Sequence, residues 1–183
     1  MPCVSDDDGV LMHQDIGLEA FNRLPYRKAL HALYECCNSV AMATELVRGR
    51  PYPSHAALFA RADAVLFGLP EDCIDEIMQA YPSVGSRPGS AWSHSEQCSV
   101  WDPRPGVMDE LRAAADEYSG RFGFGFVMHV GALAEDCPAP GVITAIGDRM
   151  HNDVETERKV ARNEIAKLNR SRLERMLGPE GGY

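Results

Sequence analysis

The sequence predicts an all-α protein, a single-domain helical bundle of about eight to nine helices. Three observations predict it. Apolar residues recur at helical spacing in one segment after another. Short Pro- and Gly-bearing turns separate those segments. Ser, Asp or Asn stands where several of the patterns begin, as N-caps require.

Taken in order, residues 1–15 read as a flexible arm with an acidic Asp6-Asp7-Asp8 run. Asp15 is expected to cap a short helix through Ile16, Leu18, Phe21 and Leu24. Pro25 suits the start of a second helix, through Ala29, Leu30, Leu33 and Tyr34 to Cys36-Cys37. Asn38 or Ser39 caps a third helix, which Gly49 and Pro51 end. Pro53-Ser54 opens a fourth, carrying Leu58, Ala62, Val65 and Leu66, and Gly68 and Pro70 stop it. A fifth runs from Glu71 to Ala80 with Ile74, Ile77 and Met78 inward.

Residues 81–92 have no periodicity, and Ser93 with Glu96 forms a capping-box pattern at the head of a turn reaching Cys98. Residues 106–119 form an amphipathic helix, whereas Arg121 to Val130 reads as a buried extended segment with Phe122, Phe124 and Phe126. Residues 132–140 are loop-like, and a helix follows from Gly141 to Met150. Asn152 is expected to cap the longest helix, which Gly178-Pro179 ends. Its apolar line passes through Ala161, Ile165, Leu168 and Met176, and Arg172 falls on that line. Residues 16–177 are taken as the folded domain and 178–183 as a flexible tail.

A net charge of −9 argues against a nucleic-acid footprint or an anionic membrane surface. No apolar run has the length of a membrane span, and the start has no basic or apolar leader character. A cytoplasmic location is the default expectation. The six Cys include no C-x-x-C pair, so free thiols are the simplest reading. The six His are scattered without ligand spacing, which gives no metal site.

The stretch Tyr81 to Gln97 holds two Pro, two Gly and five Ser together with Tyr, Val and Trp. A loop this long in a compact domain is functional or disordered, and apolar residues of this size need burial. It is therefore read as an ordered binding or active-site loop. Arg172 has two readings. A helix Arg can snorkel to water, or its guanidinium can turn inward and bind a carboxylate bidentately.

Three blocks carry a resemblance: Tyr81-Pro82-x-Val84-Gly85 with Trp92-Ser93-x-x-Glu96-Gln97, Arg121-Phe122-Gly123-Phe124-x-Phe126-Val127, and Lys167-Leu168-x-x-x-Arg172-Leu173. With the early pair of patterns running from Leu24 to Ser39, the chain resembles the family of 2-oxo-4-hydroxy-4-carboxy-5-ureidoimidazoline (OHCU) decarboxylase over about Ile16 to Leu177. The resemblance implies an all-α, cofactor-free and typically homodimeric carboxy-lyase. Such an enzyme converts OHCU to (S)-allantoin and carbon dioxide in urate breakdown. It implies that Glu96 is the catalytic Glu and that Arg172 binds substrate, with Arg170 as an alternative register. Ser93, Gln97, Pro82, Trp92 and the backbone at Met128 are implied as substrate-binding. The family's loop begins His-Pro with a catalytic His, whereas this chain has Tyr81.

The chemistry needs a cation for the anionic groups, hydrogen bonds to the ring and a proton donor. Tyr titrates near 10 and His near 6.5 in model peptides, so Tyr81 is a poor proton shuttle at neutral pH. His129, beside the implied contact backbone, is preferred as a substitute over His94 in the loop. Three functions stay open at this point. They are the family reaction itself, a related reaction (decarboxylase, cyclase or isomerase) on another small acidic or ureido substrate in secondary metabolism, and an inactive dimer that binds a small molecule or a protein.

Overall fold

The computed structural model describes residues 14–81, 84, 100–132 and 138–180. Among them are eight α-helices and no strand: α1 (Leu18–Arg23), α2 (Tyr26–Cys37), α3 (Val40–Arg48), α4 (His55–Gly68), α5 (Glu71–Ala80), α6 (Val107–Phe122), α7 (Pro138–Arg149) and α8 (Val154–Leu177). The all-α expectation holds. The chain divides into two compact units, one built from 14–80 with 162–180, the other from 81–161.

In the first unit, α2 packs on α3 and α3 on α4. The buried residues of α2 (Ala29, Ala32, Leu33, Cys36 and Cys37) stand at i, i+3, i+4, i+7 and i+8, one helical face. Those of α4 (Leu58, Ala62, Val65 and Leu66) repeat the pattern. The Ser39 side chain accepts from the Met42 N–H at 3.2 Å, and that of Ser54 from the Ala57 N–H at 3.1 Å. Of the two caps the sequence offered for α3, Asn38 or Ser39, it is Ser39 that serves, and α4 starts at the expected Pro53-Ser54. Asn38 takes the left-handed conformation that ends α2.

The start of α1 differs from expectation. Asp15 does not cap it; Gly17 stands at the N-cap and no side chain bonds there. Instead the N–H groups of Asp15, Ile16 and Gly17 donate to the carbonyls of Arg175, Met176 and Leu177 at 3.0, 2.9 and 2.9 Å. These are last-turn carbonyls of α8, which have no partner inside their own helix. Answering them takes the chain through positive φ at Asp15 and Gly17, 52° and 76°. At the far end of α1, Arg50 Nη1 donates to the Phe21 and Leu24 carbonyls at 2.9 and 2.8 Å.

In the second unit α6 packs on α7. The expected extended segment over Arg121–Val130 is only partly present. Arg121 and Phe122 continue α6, and Gly123 ends it at φ 80°. Residues 125–129 have no regular structure, and a 3-10 turn covers Val130–Ala132. Phe124, Phe126 and Val127 are buried, as expected. α7 begins at Pro138 rather than Gly141, because the first turn of a helix does not need proline's missing N–H. The N-cap of α8 is Asp153, not Asn152. Its carboxylate accepts from the Thr156 N–H and hydroxyl, both at 2.8 Å.

Two outcomes follow from the caps. Ser39→Ala is expected to lower unfolding stability by about 1 kcal/mol in urea titration. The Thr156 backbone N–H holds the Asp153 carboxyl below its ordinary value of 3.8. A depressed carboxyl contributes stability that is present above the unfolded value and lost as pH falls through the folded one. The stability advantage of wild type over Asp153→Asn, which caps but does not titrate, is therefore expected to shrink as pH drops below 3.8.

Candidate active site

Pro82, Trp92, Ser93, His94, Glu96 and Gln97 lie outside the described residues, as does the capping-box turn they were read into. Tyr81 follows the end of α5 and is buried. Met128 and His129 are half-buried in the segment after Phe126. A Cβ on Gly131 would come within 2.6 Å of the His129 ring, so the glycine leaves room for the imidazole.

Arg172 is 1% exposed, which rules out snorkelling. Its Nη1 donates to the Cys36 carbonyl at 3.3 Å. Cys36 lies in the last turn of α2, so the contact sets a cation at the negative end of that helix, worth about 0.3–1 kcal/mol. The neighbouring thiols are inert. Burial pushes Cys36 well up, and burial pushes Cys37 up to about 12, with the Arg172 charge opposing in both cases. Arg170, the other register, faces outward. It pairs with Asp63 at 2.7 Å and lies over the Phe59 ring. The turn of α8 thus puts Arg172 inside and Arg170 outside.

The second unit contains a buried polar cluster that sequence reasoning missed. Glu157 is 0% exposed. Arg149 Nε donates to Glu157 Oε1 at 2.7 Å, and Nη2 pairs with the same oxygen at 2.5 Å. Asn152 Nδ2 donates to Oε2 at 2.7 Å, and the Tyr118 hydroxyl also donates to Oε1. Burial, then this bond, pushes the Tyr118 phenol well above its usual range, so it stays a donor. Arg149 Nη1 donates to the Val127 carbonyl at 2.7 Å, and its guanidinium lies 4.4 Å from the Phe126 ring centre. The signal was present in the sequence. Glu157 stands four residues before Ala161 on the very stripe that singled out Arg172.

Among the described residues no group of three or more His, Cys, Asp or Glu is placed to hold a metal. No helix among them is long and apolar enough to cross a membrane. Removing Glu157 strands the Arg149 cation, whose side chain is 12% exposed. Glu157→Ala is expected to cost about 3–5 kcal/mol by denaturant unfolding.

The model of the family described as OHCU decarboxylase matches residues 22–174. A crystal structure described as (S)-allantoin synthase superposes with a TM-score of 0.68 at 17% identity, covering 88% of this chain and 54% of that one. The chain thus spans about half the length of that relative. A crystal structure of OHCU decarboxylase in the presence of (S)-allantoin gives a TM-score of 0.67 at 20% identity, covering 79% of this chain and 95% of the other. At these identities the likeness shows a shared fold. No curated protein matches the sequence. The family match spans most of the chain and takes in Tyr81, the Phe-rich segment and Arg172: the protein belongs to the OHCU decarboxylase family.

Proposed function

We propose that the protein is a cofactor-independent carboxy-lyase that takes OHCU, or a closely related small ureido acid, and releases carbon dioxide. The observation that carries this reading is the burial of Arg172, a guanidinium 1% exposed on an apolar stripe. Withdrawing a cation from water costs several kcal/mol. A guanidinium held inside at that cost supports a role in charge recognition, and its planar fork matches a carboxylate.

In this reading Arg172 holds the anionic substrate. The bond from the ring carbon to the carboxylate breaks, carbon dioxide leaves, and the electron pair is taken up by the neighbouring ring atoms. A proton then arrives on one face and sets the (S) configuration. Glu96 positions or relays that proton. Ser93, Gln97, Pro82, Trp92 and the Met128 backbone hold the ring. Tyr81 stands where the family has its His and supplies a hydrogen bond. His129 takes the place of that His in proton transfer. The site needs no cofactor, and the working protein is a homodimer in the cytoplasm.

Tyr81 favours a second reading, in which the same pocket takes a different small acidic or ureido substrate of secondary metabolism. One assay separates the two. Freshly generated OHCU is added and the optical rotation of allantoin is followed. The first reading expects faster loss of OHCU than the spontaneous reaction, with (S)-allantoin accumulating. No acceleration would eliminate it. Tyr81→His is expected to raise the rate by about tenfold or more, because a titrating group near neutral pH returns to the loop.

A further inference from the structure

We infer that Arg149 is a positioning residue for substrate: locked in place by Glu157, its guanidinium holds the Val127 carbonyl and so fixes the backbone that presents Met128. The inference rests on the proposed function only in taking the backbone at Met128 as a substrate contact.

Residues 125–129 belong to no helix, and no strand occurs among the described residues. Neither a helical nor a strand ladder therefore sets the direction of these peptide groups, and side chains must do it. Arg149 is built for that task. Its Nε and Nη2 sit on Glu157 Oε1 at 2.7 and 2.5 Å, and its Nη1 reaches the Val127 carbonyl at 2.7 Å. The Phe126 ring covers its face. Glu157 is itself held by Asn152 and by the Tyr118 hydroxyl. Each edge of a rigid planar group is thus assigned, and the one edge that leaves the ion pair points at the peptide next to Met128.

A charge pair that served stability alone could be replaced by apolar residues of similar volume with little or no loss. The contact with Val127 is what such a replacement would remove. Lysine keeps the charge but cannot reach two acceptors in one plane. Loosening the 127–128 peptide should weaken the grip on substrate and leave the bond-breaking groups in place. The expected signature is a rise in KM with kcat nearly held.

The test uses the full chain and freshly generated OHCU, with amide hydrogen exchange measured in parallel. Arg149→Lys is expected to raise KM about tenfold while kcat changes less than about threefold. It is also expected to speed exchange at Met128 and His129 more than within α6. The double variant Arg149→Met with Glu157→Leu removes both charges together and covers the case in which Arg149→Lys does not fold; it should show the same rise. Ser39→Ala, which lowers stability at a helix cap outside this cluster, is expected to leave KM unchanged. An active wild type with unchanged KM in both Arg149 variants would overturn this inference alone. A Ser39→Ala variant that raises KM equally would overturn it too, since general loosening would then suffice. Unchanged exchange at 128–129 overturns it whatever the activity. An inactive wild type overturns the functional reading, and the substrate role of Arg149 goes with it.

Discussion

A charge placed on the buried stripe of a helix has to be answered from elsewhere in the chain, and α8 carries two such charges of opposite sign. Glu157, Ala161, Ile165, Leu168, Arg172 and Met176 follow one another at three- and four-residue steps, and all are buried. Glu157 is answered by Arg149, Asn152 and Tyr118. That answer draws in the C-terminal ends of α6 and α7 and the peptide at Val127. Arg172 is met by the last turn of α2. In each unit, one buried charge thus decides which segments come to α8. The same helix offers its final carbonyls to the peptides that precede α1.

The two charges are met in different ways. Glu157 receives four donor contacts from three side chains, and an acid so fully bound has little capacity left for chemistry. Its work is structural, and through Arg149 it reaches the Val127 peptide. Arg172 presents a delocalised cation in a setting where electrostatic interactions are stronger than in water. An anion bound there would gain more than it would at the surface. Tyr81 marks where this chain departs from the family's pattern. A phenol at the start of the loop can orient a substrate as a hydrogen-bond donor, but it does not exchange protons readily at neutral pH.

Much of the fold was legible because local rules and the tertiary structure agree. Ser39 and Ser54 cap where the pattern says they should, and α5 runs from Glu71 to Ala80 as read. The misreadings have physical causes. Asp15 looked like a cap, but the end of α8 competes for the backbone around it, and that demand is invisible in local sequence. Asn152 and Asp153 are both good cap residues. The buried Glu157 claims the amide of Asn152, which leaves the cap to Asp153. The aromatic run 122–126 suggested an extended segment throughout, yet α6 packing keeps Phe122 helical until Gly123 can turn. Pro138 and Pro140 suggested a loop where they begin a helix. At the site, periodicity placed Arg172 on the apolar stripe but did not decide between water and the interior. The structure decides it, and it seats Arg170 on the surface beside Asp63. Glu157 was open to the same reasoning, but as the fourth residue of a helix with Glu155 also in its first turn it passed for ordinary helix-start charge.

The claim everything else leans on is that the Arg172 guanidinium is kept inside for an anionic substrate rather than for the fold. The direct measurement compares Arg172→Met with wild type for thermal midpoint and for OHCU turnover in the same preparation. A substrate role predicts that the variant melts within a few degrees of wild type or above it, because an apolar side chain of similar length replaces a desolvated charge. It also predicts that turnover falls by about 100-fold or more. A variant that keeps its turnover, or one that loses turnover only in step with a collapse of the fold, would contradict the account.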